Sequence, residues 1–230
     1  GEGGMRSFAL IGALVLSACA TAPAPGPSSP ASAQIAAFDQ RVARGEELVA
    51  EIGAMYARDQ LLRRTIIDGF RETTTAEARQ AYIEGTRRHF ERIDGANTRR
   101  IREILTSMTW RELSDISPAA ADQAFMLISH SDNIEFKRQM AAQFEPLARE
   151  GAMPGDRYAN LVDDIALDGG EPQVYGTNFE CHHGVFQPKP VVDPANLNAR
   201  RAAIHLNSIE EYAAESRALY GECPADYSGN

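Results

Sequence analysis

Several charged residues fall on helix stripes that are otherwise apolar. Asp59 continues a line that begins with Ile52 and Met55 and runs on to Leu62 and Ile66. Arg63 stands four residues later, the favourable acid-before-base order on a helix. Asp163 shares a strip with Ala159 and Ala166, and Arg201 shares a face with Leu197 and Ile204. A charge turned toward an apolar interior must be paired or neutralised. Two chemistries are open to such a set. One is a buried ion-pair network that fixes helix register. The other is the floor of a pocket in which burial shifts a carboxylate toward values useful for proton transfer.

Tyr175 and Thr177 alternate onto one side of the most strand-like run, residues 172–179, and their hydroxyls could reach such a floor. A half-buried strand face accounts for the same pattern. Asp59, Arg63, Tyr175, Thr177, Asn178 and Arg201 are therefore the candidates for ligand contact. Asp163 and His130 are the candidates for a general base. His130 lies at a helix end, where an imidazole also serves by capping carbonyls. Cys181-His182-His183 with His130 and His205 has ligand types for zinc. The spacing fits no standard site, so no metal and no cofactor is expected. No P-loop, GxGxxG, HExxH or nucleophile-elbow pattern occurs.

The elements that must position these residues read as helices. One runs over 35–68, its stripe opening at Ile35, Phe38 and Val42. A second starts at a Thr74–Glu77 capping box and breaks at Asp94-Gly95-Ala96-Asn97. A third carries Ile101 and Ile104, with Trp110 in the link after it. Ser117 and Pro118 open the next, and another spans 133–149 with Pro146 inside. A helix from Asp156 to Leu167 turns Asp164 to water and Asp163 inward. Residues 173–191 read as one small hairpin. A helix after Asp193-Pro194 and one capped by Ser208 and Glu211 close the chain. The expected fold is mainly α, about seven helices with that hairpin, in one domain over 35–230.

The first residues read as an address. Met5-Arg6 supplies a positive start, Phe8–Leu16 an apolar run too short to span a bilayer, and Leu16-Ser17-Ala18-Cys19 follows. This order resembles the lipobox of bacterial lipoproteins. It implies cleavage before Cys19 and acylation of that residue, with Ala20 favouring the outer membrane. Residues 1–19 are thus expected to be a signal peptide and 20–34, rich in Pro, Ala and Ser, a tether. Export agrees with Cys181 and Cys223, an even pair that a disulfide could join, two free thiols being the other possibility. The net charge of -9 over 230 residues, with no basic run, argues against nucleic acid.

From Asp59 to Tyr212 the chain resembles a bacterial domain of unknown function, family 6624, that carries a Tyr-Gly-Thr-Gln signature. The matching pieces are Asp59-Gln60 with Arg63, Asp94 with Asn97, Trp110, His130-Ser131-Asp132, Asp163, Gln173–Thr177, Pro190 with Asp193, and Arg200-Arg201. Asn178 replaces the signature Gln, Asp164 an Arg, and His205 a Gly. The resemblance implies no reaction. The function expected is that of a lipid-anchored protein on the periplasmic side of the outer membrane. It would bind a small ligand or an envelope protein in a polar cleft beside the hairpin. The alternatives are a hydrolase-like enzyme using Asp163 or His130, and a purely structural envelope component.

Overall fold

The computed structural model describes residues 30–182, 184–221 and 223. Cys19, the residues read as signal peptide, most of those read as tether and His183 lie outside the described residues. The chain divides into two units, residues 1–41 and 42–230. Residues 30–41 of the first are helical, including positions 30–34 read as tether.

Eight α-helices and one hairpin make up the described residues. Helix α1 (Pro30–Arg71) is followed by α2 (Ala76–Ser107), α3 (Trp110–Ile116), α4 (Pro118–Ser129), α5 (Ile134–Arg149) and α6 (Gly155–Asp168). Strands β1 (Phe179–His182) and β2 (Val185–Pro188) pair antiparallel, Phe179 opposite Pro188. A 3-10 turn (Pro194–Asn196) leads into α7 (Leu197–Ala202), and α8 (Ile209–Tyr220) ends the fold. The mainly helical architecture with one small hairpin is thus as expected. Among the described residues no helix is long and apolar enough to cross a membrane.

Local chemistry sets most of the boundaries. Thr75, not Thr74, caps α2 by accepting from Ala78 N. Thr109 and Glu112 form a reciprocal capping box that makes Trp110 the first residue of α3 rather than part of a link. Ser117 caps α4 with Pro118 at its first position, and Ser208 with Glu211 boxes α8. Asp94-Gly95-Ala96-Asn97 does not break α2. Asp94, Asn97, Thr98, Ile101 and Ile104 form one buried face at helical spacing. Burying that face offsets the roughly 1 kcal/mol that an interior glycine costs.

The core gathers Leu48, Ile52 and Met55 of α1, Ile101 and Ile104 of α2, and Leu113, Phe125, Ile128, Phe136 and Phe144. Trp110 meets Phe144 edge-on, ring centroids 4.6 Å apart. Ile35 and Phe38 are exposed, so the buried line of α1 starts later than the apolar pattern implies. Gly155 lies so close to α7 that a Cβ there would sit 1.9 Å from the carbonyl oxygen of Ile204. Cys181 on β1 and Cys223 beyond α8 are joined as a disulfide, Cα atoms 5.6 Å apart.

Candidate functional site

The inward charges do not converge. They form two groups with no shared partner, and only one of them opens to solvent.

The closed group surrounds Asp163 and replaces the expected strand. Residues 173–178 lie outside both strands, and the stretch wraps around a carboxylate instead. Oδ1 of Asp163 accepts the main-chain N–H of Val174 at 2.7 Å and of Tyr175 at 2.8 Å. Oδ2 accepts the N–H and the hydroxyl of Thr177, both at 2.8 Å. Gly176 stands between them at φ 71°, a conformation that favours glycine. Gln173, fully buried, donates to the carbonyls of Asn178 and Lys189 and accepts the N–H of Asn178 at 2.7 Å. Arg201 donates to the carbonyls of Tyr175 and Asn207, and Arg200 to that of Val174. These bonds satisfy backbone groups that, in a loop with only an isolated bridge at Gln173–Val191, lack a ladder to meet.

Asp163 is therefore corrected from candidate base to structural anchor: it is wholly buried and its oxygens are saturated. Tyr175 and Arg201 are buried in the same assembly, and Thr177 spends its hydroxyl on Asp163. None of the three lines the clefts described among these residues. Burial pushes the Tyr175 phenol up and the Arg201 guanidinium down from their ordinary values. Asp164 is half-buried rather than solvated, and burial raises its carboxyl. Asn178 donates to it at 3.4 Å. His205 stands at φ 62°, where glycine is the easier residue.

The open group is built by α1, α2 and the turn after α4. Asp59, fully buried, accepts from Gln60 at 3.0 Å and from Arg63 Nε at 3.2 Å. Nδ1 of His130 lies 2.9 Å from its Oδ2. Arg63 also donates through Nη2 to Asp94 at 2.9 Å, and its guanidinium lies 5.2 Å from the centroid of the Phe90 ring. Burial works to raise the Asp59 carboxyl, but the hydrogen bond and charge of His130, with Arg63, prevail and hold it below its usual range. Burial prevails at Asp94, whose carboxyl is raised despite Arg63. Thr98 donates to Ser131 at 2.7 Å beside this cluster. Asn97 Nδ2 is buried without a hydrogen-bond partner among the described residues.

Arg63 Nε is also 2.9 Å from His130 Nδ1, so that nitrogen meets a donor and a carboxylate together. With Nδ1–H donating to Asp59, Nε2 is the bare nitrogen; with Nδ1 accepting from Arg63, Nε2 carries the proton. Nε2 makes no hydrogen bond to any described residue. The side chain is 19% exposed and lines a cleft of about 570 Å³ with Ser129, Asp132, Lys137, Arg138 and Asp168. Lys137, though buried, is paired with Asp168 at 2.9 Å.

Sequence reasoning named Asp59, Arg63 and His130 as candidates, but it grouped the first two with Asp163 and Arg201 and did not name Asp94 or Asp132 as site residues. Their appearance together among the pieces of the resemblance was the available signal. The histidines weighed for metal stand apart: His130 ends α4, while His205 follows α7 with Nε2 3.0 Å from Arg149 O. No curated protein and no solved structure matches the chain. Residues 46–222 match the model of a family of unknown function, DUF6624, and the chain belongs to that family.

Proposed function

We propose that this is an exported, lipid-anchored envelope protein that binds a polar group in the cleft at His130 and exchanges a proton with it there. One observation carries the reading. His130 lines an open cleft while its Nδ1 lies against a buried carboxylate that it helps to keep ionised. An imidazole oriented in this way is the usual arrangement of a general base, which would take a proton from water or from a ligand hydroxyl. Arg63 holds Asp59 and Asp94 together and so keeps the ring from turning.

Binding without catalysis is the second reading. It is favoured by the state of one cleft hydroxyl, Ser131, which is buried and already bonded to Thr98. A nucleophile would have to be water or Ser129. The two readings divide on hydrolysis of nitrophenyl acetate, nitrophenyl phosphate and a nitroanilide peptide. A general base predicts that His130→Gln lowers the turnover of one of them by about a hundredfold or more. Equal rates in parent and variant leave the binding reading, and a ring bearing its proton on Nε2 by nitrogen NMR removes both. The anchor is tested by Cys19→Ser, expected to move the protein from the membrane to the soluble periplasmic fraction. A variant still held in the membrane would defeat it.

A further inference from the structure

Residues 30–41, the first turns of α1, are helical and exposed on every side. Ile35 and Phe38 stand one turn apart on that stretch, 62% and 64% exposed. A helical stretch of this length is marginal in water by itself, and helices in proteins gain most of their stability by packing an apolar face. No described residue covers this one.

The chain before it narrows the choice of cover. Ten residues, 20–29, separate Pro30 from Cys19, and even fully extended they reach no more than about 35 Å. Between Cys19 and Phe38 there is no Asp, Glu, Lys or Arg, in a chain whose net charge is -9. The first charges after Cys19, Asp39 and Arg41, fall at helical spacing on the two flanks of the Ile35–Phe38 line. An isoleucine and a phenylalanine together cover about 300 Å², well short of the roughly 1,000 Å² of a stable contact between proteins. A surface that needs no matching partner patch is the better fit.

We propose that the Ile35–Phe38 face of α1 lies against the bilayer that holds Cys19, so that the protein meets the membrane through a helix face as well as through acyl chains. The inference rests on the proposed lipid anchor and adds a second, non-covalent contact with the same surface. An aliphatic and an aromatic side chain enter the boundary between headgroups and acyl chains, while charges on the flanks of the helix stay in water. Two side chains alone bind a bilayer weakly. The short link to Cys19 turns that binding into an intramolecular step.

The test uses the full acylated chain in vesicles of phosphatidylethanolamine and phosphatidylglycerol, carrying Phe38→Trp or Gln40→Trp. Trp110, the only native tryptophan, is buried and makes the parent the blank. Lipids brominated in the upper acyl chain quench an indole that touches them. The emission that Phe38→Trp adds over the parent should fall by about half, the depth being that of an interfacial helix. Gln40→Trp, on the opposite side of the helix, should lose none. Adding Ile35→Glu to the Phe38→Trp chain should restore its emission. Mass spectrometry of the same samples reads the acyl chains on Cys19.

Equal quenching at the two positions overturns the proposal. Quenching at neither, with acyl chains present on Cys19, also overturns it and spares the anchor. A chain found bare at Cys19 sinks the anchor reading and, with it, the reach on which this contact depends. A detergent-free Cys19→Ser protein whose dimer is dissociated by Ile35→Glu would make the face a contact between copies and end the proposal.

Discussion

Nδ1 of His130 lies 2.9 Å from Oδ2 of Asp59, which ties the end of α4 to α1 across 71 positions of sequence. Nothing local to either residue creates this contact. Asp59 is carried inward by the stripe of α1, and His130 is delivered by the point at which α4 ends. The pair is part-buried, so each partner leaves a costly group behind if the other is removed.

That relationship has a pH signature. The Asp59 carboxyl is depressed in the folded protein, so its contribution is complete above the unfolded-chain value of about 3.9 and is lost as pH falls through the lower folded value. Urea unfolding of the parent and of Asp59→Asn should differ by about 3 kcal/mol at neutral pH. The gap should narrow as the carboxylate of the parent is protonated in strong acid. A gap that widens in acid would mean that the ionised form is not what stabilises the site.

Asp163 holds four donors from one loop, and this predicts a graded series. Asp163→Ala should cost about 3–5 kcal/mol, because buried N–H groups lose their only acceptor. Thr177→Val removes one of the four bonds and should cost about 1 kcal/mol. The same melting curves for both variants would show that the loop holds its shape without the carboxylate.

The approach of α6 to α7 gives a steric test. Gly155→Ala places a methyl group 1.9 Å from the Ile204 carbonyl oxygen, and backbone rather than a flexible side chain must yield. We expect a loss of about 2–3 kcal/mol, in the range of overpacked cores. Gly170→Ala, with no neighbour within reach but φ at 75°, separates this clash from backbone strain. A Gly155→Ala variant as stable as the parent would mean the helices slide apart without cost.

Cys181 and Cys223 close a loop of 42 residues around the hairpin, α7 and α8. On the chain-entropy model the link contributes about 4 kcal/mol. Cys181→Ser, or reduction of the parent, should lower the melting temperature by similar amounts, and reduction should leave Cys181→Ser unchanged. A parent indifferent to reductant would show the bridge to be dispensable.

Much of the fold was legible in the chain. Serine, threonine and proline at helix starts cap orphan amides by local chemistry, so Ser117, Pro118 and the Ser208–Glu211 box mark their helices without reference to anything distant. The break expected at Asp94–Asn97 failed because turn propensity is weak beside the burial of a polar face. Of the strand expected over 173–179, Phe179 lies in β1 and Gln173 bridges to Val191, while 174–178 fail for a related reason. Alternating side chains describe an extended backbone but not its partner, and the partner here is the carboxylate of Asp163 rather than a second strand.

Periodicity determined that Asp59, Arg63, Asp163 and Arg201 turn inward, because the direction of a side chain on a helix is set by its spacing alone. It could not determine which of them meet, since that depends on how helices distant in sequence pack. Only the tertiary structure separated the saturated carboxylate of Asp163 from the histidine that Asp59 holds open to a cleft. The difference lies in what reaches each carboxylate: the backbone of a loop closes around Asp163, whereas Asp59 is met by a histidine that also lines a cleft.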